Sequence, residues 1–454
     1  MEKTENFTQG GILRPLIRFA LPVLLALFLQ AMYGAVDLWV VGKYALAEDV
    51  SGVSTGSQIM QTVTMVIVGL SMGVTVRLGQ KLGEGRPDEA RSTIGSGICL
   101  FLAIALVMTA VMVFGAEGVA RLMRAPEEAF AQTCSYVRIC SAGMLFIVAY
   151  NILGSVFRGI GDSRLPLISV TIACVVNIVG DLLLVAVFHM GASGAAYATV
   201  FAQAVSVVLS FVIIRRRELP FTFSRRDIRF DRGVVGRILA LGVPIALQDF
   251  LVSISFLVLL AIVNNMGLIA SAGMGVAEKL TAFIMLVPSA FMQAMSAFVA
   301  QNIGAGKPER AKQALKLSIL CSVAVGVLMG YLAFFHGEML AGLFAREQEI
   351  IAAAADYLKA YAIDCMLTPF LFCFIGYYNG CGRTVFVMAQ GILGAFGARI
   401  PVAYLVSRRA SATLFQIGLA TPASTVLQIL LCLMAYCYPL FRKTDSVGDV
   451  KSGG

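Results

Sequence analysis

The sequence predicts an all-α integral membrane protein with about twelve transmembrane helices, arranged as two parallel six-helix repeats. Apolar residues make up 59% of the 454-residue chain, charged residues make up 13%, and the mean hydropathy is +0.85. Soluble domains usually carry about 25% charged residues. Apolar stretches of about 20 residues or more recur along the chain, and each can cross about 30 Å of hydrocarbon as a helix. None has the alternating pattern of a membrane β-barrel strand. The predicted spans are 15–41, 51–77, 93–116, 133–157, 165–188, 194–214, 238–264, 270–299, 313–336, 354–378, 384–406 and 412–440.

An internal duplication places six of these helices in each half of the chain. The segment 79–90 (GQKLGEGRPDEA) returns in the second half as 300–311 (AQNIGAGKPERA). The same displacement carries 157–161 (FRGIG) onto 378–382 (YNGCG), where both glycines coincide. Because six is an even number, both repeats enter the membrane in the same direction, and a pseudo-two-fold axis along the membrane normal should relate them. Such a repeat in so apolar a protein indicates transport.

The positive charges predict the orientation and the domain boundaries. If the N-terminus is cytoplasmic, 25 of the 35 Lys and Arg residues fall in cytoplasmic segments, as the positive-inside rule expects. We therefore predict a multi-pass protein of the cell membrane with both termini in the cytoplasm. Its parts are an N-lobe at 13–214, a cytoplasmic linker at 215–237, a C-lobe at 238–442 and a disordered tail at 443–454.

The basic residues have a simple interpretation in this orientation. The arginine-rich linker is expected to act as a positive-inside anchor, and binding to anionic membrane lipid is the alternative. The net charge of +9 is accounted for by orientation, so we do not expect a nucleic-acid partner.

Polar side chains on three apolar stretches of the N-lobe are predicted to lie at a similar depth. At about 1.5 Å per residue, Asp37, Asp181 and Thr199 fall roughly 6–10 Å beneath the outer edge of the membrane. Asn177 precedes Asp181 by one helical turn and shares its face. Two carboxylates, an amide and a hydroxyl suit a hard cation such as Na⁺, and close carboxylates can also carry a proton. The alternative is that Asp37 reaches the outer interface and Asp181 is an unrelated packed polar group.

Several segments resemble the multidrug and toxic compound extrusion (MATE) family. They are 30–42 (QAMYGAVDLWVVG), 158–163 (RGIGDS) and 301–310 (QNIGAGKPER), and the similarity extends over essentially all twelve predicted helices. The resemblance implies a cation-driven exporter of amphipathic, often cationic, compounds, whose two lobes form a V-shaped cleft that opens alternately to each side. In the branch that this sequence most resembles, the ion site lies in the N-lobe. The resemblance assigns that site to Asp37, Asn177, Asp181 and Thr199.

The resemblance also sets expectations for ligands and partners. The coupling ion would be Na⁺, held by those four residues, or H⁺. The partner would be a small organic substrate, with membrane lipids around the protein. No cofactor is expected, and a monomer would suffice.

The C-lobe departs from another branch of that family, which has a glutamate on helix 7 and an aspartate on helix 10 as a cation site. Near that helix-7 position this chain has Ser253 and Ser255, with Asp249 one turn earlier. Asp249, Glu278 and Asp364 are therefore candidates for substrate or ion contact. The alternatives are satisfied polar contacts for the two aspartates and an interfacial role for Glu278.

Two further features fit a cleft that moves. Pro22 is expected to break helix 1 about four turns before Asp37, because proline removes a backbone hydrogen bond. We expect ion or proton occupancy of Asp37 to change the shape of this helix; a static kink is the alternative. Methionines on helices 2 and 8, among them Met285 and Met292, can form an adaptable cleft wall or simply pack.

Two other functions remain as alternatives. A flippase for lipids or lipid-linked oligosaccharides would need basic residues in the cleft for phosphate groups, and Arg399 is the main basic residue within the spans. A membrane enzyme or channel is the alternative of a different class. The chain has no H-E-x-x-H, P-loop or nucleophile-elbow pattern, so we do not expect an enzyme, and pumping would have to use an ion gradient.

Overall fold

The computed structural model describes residues 7–215, 223–409 and 412–438. In these ranges every element of regular structure is a helix. The predicted fold class, an all-helical multi-pass membrane protein, is confirmed. The predicted tail at 443–454 and residues 216–222 of the predicted linker lie outside the described residues.

Within the described ranges, twelve helices are long and apolar enough to cross a membrane when one bent pair is counted as a single span. Each sequence-predicted span overlaps one of these helices over nearly its whole length. The helices are α1 Leu13–Tyr44, α2 Ala47–Gly83, α3 Pro87–Leu122, α4 Glu127–Ala142 with Met144–Ile160, α5 Arg164–Val187, α6 Gly191–Ile214, α7 Arg232–Asn264, α8 Leu268–Gly304, α9 Pro308–Phe335, α10 Gln348–Gly380, α11 Thr384–Ser407 and α12 Leu414–Cys437.

Helix α4 is bent, which the sequence did not predict. Its two parts meet at Gly143 at an angle of 55°. A side chain at Gly143 would collide with α6, because a Cβ there would lie 3.0 Å from the Cβ of Val200. Glycine therefore permits the close approach of α6 at the bend.

Two helices contain π-helical segments beside buried charged residues. In α5 the segment Leu182–Val187 begins directly after Asp181, and in α11 the segment Leu393–Arg399 ends at Arg399. Such segments are rare and are frequently found at functional sites.

The chain divides into two compact units by contacts between Cα atoms. The first contains Met1–Phe250, Met285–Leu320 and Ile375–Val387, and the second contains Leu251–Ile284, Cys321–Phe374 and Met388–Gly454. The first unit thus joins the helices of the first repeat to the parts of the second repeat that carry its copy of the repeated motif. The lobes at 13–214 and 238–442 stay a prediction.

The two copies of the repeated motif meet within the first unit, at what we call the motif end of the protein (79–90 and 300–311). The Gln80 side chain in the first repeat donates a hydrogen bond of 3.2 Å to the carbonyl oxygen of Gly380 in the second. Gln301 in the second repeat donates one of 2.9 Å to the carbonyl oxygen of Gly159 in the first. Both donors and both acceptors are related by the displacement that relates the two motif copies, so the two bonds form a reciprocal pair.

Helices α2 and α8 cross beside this pair. A Cβ atom at Gly83 would lie 2.9 Å from the backbone nitrogen of Ala305, and one at Gly304 would lie 2.9 Å from the Cα of Gln80. Real Cβ atoms almost never approach backbone so closely, so glycine at both positions allows the crossing.

Two of the positions at which the copies of the motif differ make different contacts in the two repeats. In the first repeat, Lys81 forms a 2.9 Å ion pair with Glu89. Their counterparts in the second repeat are Asn302 and Arg310, and both donate hydrogen bonds to the carbonyl oxygen of Phe7, at 3.1 and 2.9 Å. The second copy therefore holds the N-terminal segment.

Residues 7–11 are fixed mainly by Arg310. Its guanidinium donates hydrogen bonds of 2.7–3.1 Å to four backbone carbonyls of this segment. The Phe7 ring is 1% exposed and packs 5.3 and 5.1 Å from the ring centres of Phe19 and Phe298.

Replacing Arg310 should release this segment. Hydrogen bonds from a charged donor contribute about 1.5–3 kcal/mol each when buried, and these are partly exposed, so we expect Arg310→Ala to speed proteolysis between Phe7 and Gly11 about tenfold. The matched control is Lys312→Ala on the same helix, whose ammonium pairs with Glu309. Equal cleavage rates in the two variants and wild type would contradict the assignment.

Candidate functional site

Three helices of the first unit bring Asp37, Asn177, Asp181 and Thr199 together. Asp37 lies on α1, Asn177 and Asp181 on α5, and Thr199 on α6, and α5 packs against both α1 and α6. The Asp37 carboxylate faces the side chains of the other three residues, and the Thr199 hydroxyl lies 3.5 Å from its Oδ2 atom. The geometry predicted from depth and helical facing is present; the role as an ion site stays a prediction.

Close packing of α5 on α6 makes this cluster possible. Gly180 lies next to Asp181, and a Cβ at Gly180 would lie 2.9 Å from the Cβ of Ala198, the neighbour of Thr199. Small residues on both helices therefore let the polar side chains of α5 and α6 approach one another.

The cluster is buried and contains unpaired polar atoms. Asp37, Asn177 and Asp181 are 6%, 1% and 0% exposed. In the described part of the chain, five of their side-chain atoms have no partner in hydrogen-bond geometry: Asp37 Oδ1, both carboxylate oxygens of Asp181 and both amide atoms of Asn177. An unsatisfied buried polar group costs about 1–3 kcal/mol, and more when charged. A cation among these oxygens, or a proton shared by the carboxylates, would offset that cost.

Two tyrosines beside the cluster were missed by sequence reasoning. Tyr33 precedes Asp37 by one turn of α1 and lies near enough to interact with it electrostatically. Tyr136 on the first part of α4 is 3% exposed, and its hydroxyl faces Thr199. The i, i+4 spacing would have identified Tyr33. No local signal points to Tyr136, because its position depends on how α4 packs.

Asp364 in the second unit is buried near a positive charge. Asp364 is 3% exposed and its Oδ2 accepts a 2.8 Å hydrogen bond from Thr368. The charge of Arg399, which is 4% exposed, acts on Asp364. Arg399 also donates a 2.7 Å hydrogen bond to Ser255 and stacks 4.0 Å from the centre of the Phe256 ring. Asp364 therefore faces a guanidinium group, unlike Asp37 and Asp181 in the first unit.

The structure separates the other acidic candidates between the two units. Glu278 belongs to the second unit and is half-buried near Tyr357. Asp249 belongs to the first unit, on α7, one turn after Pro244.

Pro22 does not end α1, which stays helical on both sides of it, from Leu13 to Tyr44. A proline can kink a helix without ending it, so the predicted bend at Pro22 and its dependence on Asp37 stay predictions. Met285 lies at an interruption of α8 between Ile284 and Leu286. The backbone of Met292 packs against Gly376 of α10.

Comparisons with known proteins agree with the fold and with the duplication. A family model described as MatE matches twice, at residues 22–183 and 244–405. The probable multidrug resistance protein YpnP of Bacillus subtilis (strain 168) is 28% identical over 89% of this chain and 91% of its own. The multidrug export protein MepA of Staphylococcus saprophyticus is 22% identical, over 86% of this chain and 88% of its own. A crystal structure described as MATE in complex with MaL6 has a TM-score of 0.91 at 20% identity, covering 98% of this chain and 100% of that one.

The double match coincides with the internal repeat, because its two parts begin at positions 22 and 244, almost the same displacement as between the two motif copies. The resemblance stated from the motifs is thus confirmed at the level of the family, and the two matches together span most of the chain. This protein belongs to the MatE family of multidrug and toxic compound extrusion proteins.

Proposed function

We propose that this protein is a secondary active exporter that antiports amphipathic, cationic organic compounds against Na⁺ or H⁺ by alternating access. The observation that carries the proposal is the buried cluster of Asp37, Asn177, Asp181 and Thr199, five of whose polar atoms have no hydrogen-bond partner among the described residues. Similarity to proteins named for multidrug resistance and multidrug export, over nearly their whole length, supports the class of substrate.

The cluster has the chemistry of a coupling site. Two carboxylates in a water-poor environment repel each other, so one of them takes up a proton readily. The same oxygens, with the Asn177 amide oxygen and the Thr199 hydroxyl, suit Na⁺ equally. Binding of either ion reduces the unpaired negative charge on Asp37 and Asp181. The net charge of the cluster therefore differs between the ion-bound and the empty state.

Coupling requires that the ion and the substrate favour different conformations. Asp37 lies on α1, which also contains Pro22, and in this proposal occupancy of the site acts through the shape of this helix. In the cycle that we propose, substrate enters the inward-open cleft and is held there mainly by apolar and aromatic side chains. The lobes then rock to face outward, and the external ion binds at the cluster. Its binding favours substrate release, and the ion is carried inward on the return.

The protein is proposed to act in the cell membrane as a monomer with both termini in the cytoplasm. This assignment is supported by the Lys and Arg residues of the motif end and of the linker. The motif end is then the cytoplasmic end, and the Asp37 cluster lies nearer to the external surface.

The buried Arg399 counts against a flippase. Its guanidinium contacts Ser255 and Phe256 and acts on Asp364. A phosphate group would have to compete with all three contacts for this guanidinium.

The test is efflux of a fluorescent organic cation from proteoliposomes under a Na⁺ gradient or a pH gradient, each imposed alone. We expect one of the two gradients to accelerate efflux and its collapse by an ionophore to abolish the acceleration. An efflux rate that depends on neither gradient would contradict the proposed coupling role of the cluster and favour a flippase.

A further inference from the structure

A cavity in the first unit lies apart from the Asp37 cluster. It has a volume of about 210 Å³ and is formed by α3, the second part of α4 and the last turns of α6. All of its lining residues in the described part of the chain are apolar, among them Ile98, Phe101, Ile152, Val156, Phe211 and Phe223. Apolar cavities of about 150 Å³ stay dry and accept small hydrocarbons. The apolar lining of this cavity is therefore suited to a hydrocarbon chain.

The cavity opens to the outer surface of the helix bundle. Leu102 on α3, Leu145 on α4 and Phe211 on α6 belong to its lining and are 46%, 43% and 51% exposed. In a membrane, side chains exposed at this position on such helices face lipid acyl chains. An acyl chain can therefore enter the cavity from the side.

The linker between the repeats lies at the end of this cavity. Phe223 lines it, and the residues that follow are fixed to α3. The Ser96 hydroxyl donates a 3.0 Å hydrogen bond to the carbonyl of Arg229 and accepts one of 3.4 Å from the backbone N–H of Asp231. Gly95 allows this contact, because a side chain there would collide with the backbone of Asp227.

The docked linker exposes arginines beside apolar side chains. Arg226 and Arg229 are exposed, and between and beside them Ile228 and Phe230 are 42% and 57% exposed. Alternation of basic and large apolar side chains is typical of segments that lie in the membrane interface.

Two acids of the linker, Asp227 and Asp231, accept hydrogen bonds from nearby backbone groups. Asp227 accepts a 2.7 Å hydrogen bond from the N–H of Ser224, and Asp231 accepts one of 2.8 Å from the N–H of Gly233 at the start of α7. The hydrogen bond from Ser224, with the charges of Arg91 and Arg229, lowers the pKa of Asp227 below its usual range. Both aspartates keep their charge, but the four arginines of 224–233 outnumber them, so the segment at the mouth of the cavity keeps a net positive charge that suits an anion.

We propose that this site binds an anionic phospholipid, with one acyl chain in the cavity and the phosphate at Arg226 and Arg229. The site is independent of the proposed transport function and requires only that the protein spans a membrane. The bound lipid would join the linker to α3, α4 and α6.

A single tryptophan provides the test. The chain contains one tryptophan, Trp39, so Phe223→Trp in a Trp39→Phe background places the only indole at the cavity. The delipidated full chain is reconstituted in phosphatidylcholine vesicles containing a small fraction of brominated phosphatidylglycerol, whose acyl chains quench tryptophan on contact. The reference is Phe114→Trp in the same background, because Phe114 lies on α3, one of the helices that form the cavity, and is 87% exposed.

We expect brominated phosphatidylglycerol to quench the indole at 223 more strongly than the one at 114, and brominated phosphatidylcholine to quench both alike. Combining Arg226→Gln with Arg229→Gln should weaken phosphatidylglycerol binding about tenfold or more. Ala149→Phe, which fills the cavity, should also reduce the quenching at 223. The matched control, Lys312→Gln with Lys316→Gln, removes two charges on α9, just after the motif end, and should leave the quenching at 223 unchanged.

Equal quenching at 223 by the two brominated lipids would overturn the proposal, as would quenching that survives the double arginine variant. If Ala149→Phe instead alters the KM for the exported cation and leaves phosphatidylglycerol quenching intact, the cavity belongs to the substrate path and the lipid site is excluded.

Discussion

Asp37→Asn is expected to abolish gradient-driven efflux while leaving a folded protein. The substitution keeps the shape of the side chain but removes one of the two carboxylates of the cluster. Truncating one partner of a buried charged contact costs about 2–5 kcal/mol, which corresponds to a loss of ion affinity of roughly 30-fold or more. The measurement is the dependence of efflux on the Na⁺ or pH gradient in proteoliposomes, with the thermal midpoint as a check of folding.

Two matched substitutions define what the loss means. Asp88→Asn removes a carboxylate whose side chain is 82% exposed at the motif end and should leave coupling intact. Asp364→Asn removes a buried carboxylate that faces Arg399 and should leave the response to the gradient in place even if the substrate KM changes. If Asp37→Asn retains the wild-type response, or if Asp364→Asn loses it, the coupling site is not the Asp37 cluster.

Gly83→Ala should destabilise the protein, although alanine is the better helix former. The added methyl group would meet the backbone of Gln301 and Ala305 where α2 and α8 cross. Overpacking of this kind costs about 1–3 kcal/mol, and here the obstacle is backbone, which cannot move without shifting a helix. We expect a thermal midpoint several degrees lower than that of wild type, and the same for Gly304→Ala.

Gly115→Ala on α3 is the control, because a Cβ at that position has no atom within 4 Å. There the only effect is helix propensity, which favours alanine by about 0.8–1.0 kcal/mol, so this variant should be as stable as wild type or more stable. Gly83→Ala is thus expected to lower the thermal midpoint, whereas Gly115→Ala is expected to leave it unchanged or raise it. A Gly83→Ala protein with an unchanged or higher midpoint would mean that the helices do not cross at this distance.

The sequence predicts most of the fold because the relevant signals are local. Hydropathy places the helices, and the constant displacement between the motif copies pairs them into repeats without knowledge of any contact. The bend of α4 at Gly143 and the π-helical segments of α5 and α11 were not predictable in this way. They arise from the packing of neighbouring helices, which a hydropathy pattern does not record.

The candidate site was predictable to a similar extent. Depth and helical facing place Asp37 and Asp181 near each other, because a charged residue in an apolar helix is costly and conspicuous. The sequence around Tyr136 contains no buried charge that would mark it as part of a site. Tyr136 was not predictable, because its place beside Thr199 depends on how the first part of α4 packs. The same holds for Arg399, whose place among Asp364, Ser255 and Phe256 could not be read from spacing.

The reciprocal hydrogen bonds of Gln80 and Gln301 set an energy scale for opening the motif end. A hydrogen bond contributes about 0.5–1.5 kcal/mol net, so the pair together holds the motif end with about 1–3 kcal/mol. One elementary charge crossing a potential of about 100 mV releases about 2.3 kcal/mol. In the exporter proposed above, a cation that moves inward without a compensating outward charge releases free energy of the same order as the cost of breaking both bonds. One-for-one exchange against a cationic compound moves no net charge and draws on the concentration gradient of the ion alone. Because of the duplication, each half of the protein contributes one donor and one acceptor to the pair, so opening the motif end breaks one bond donated by each half.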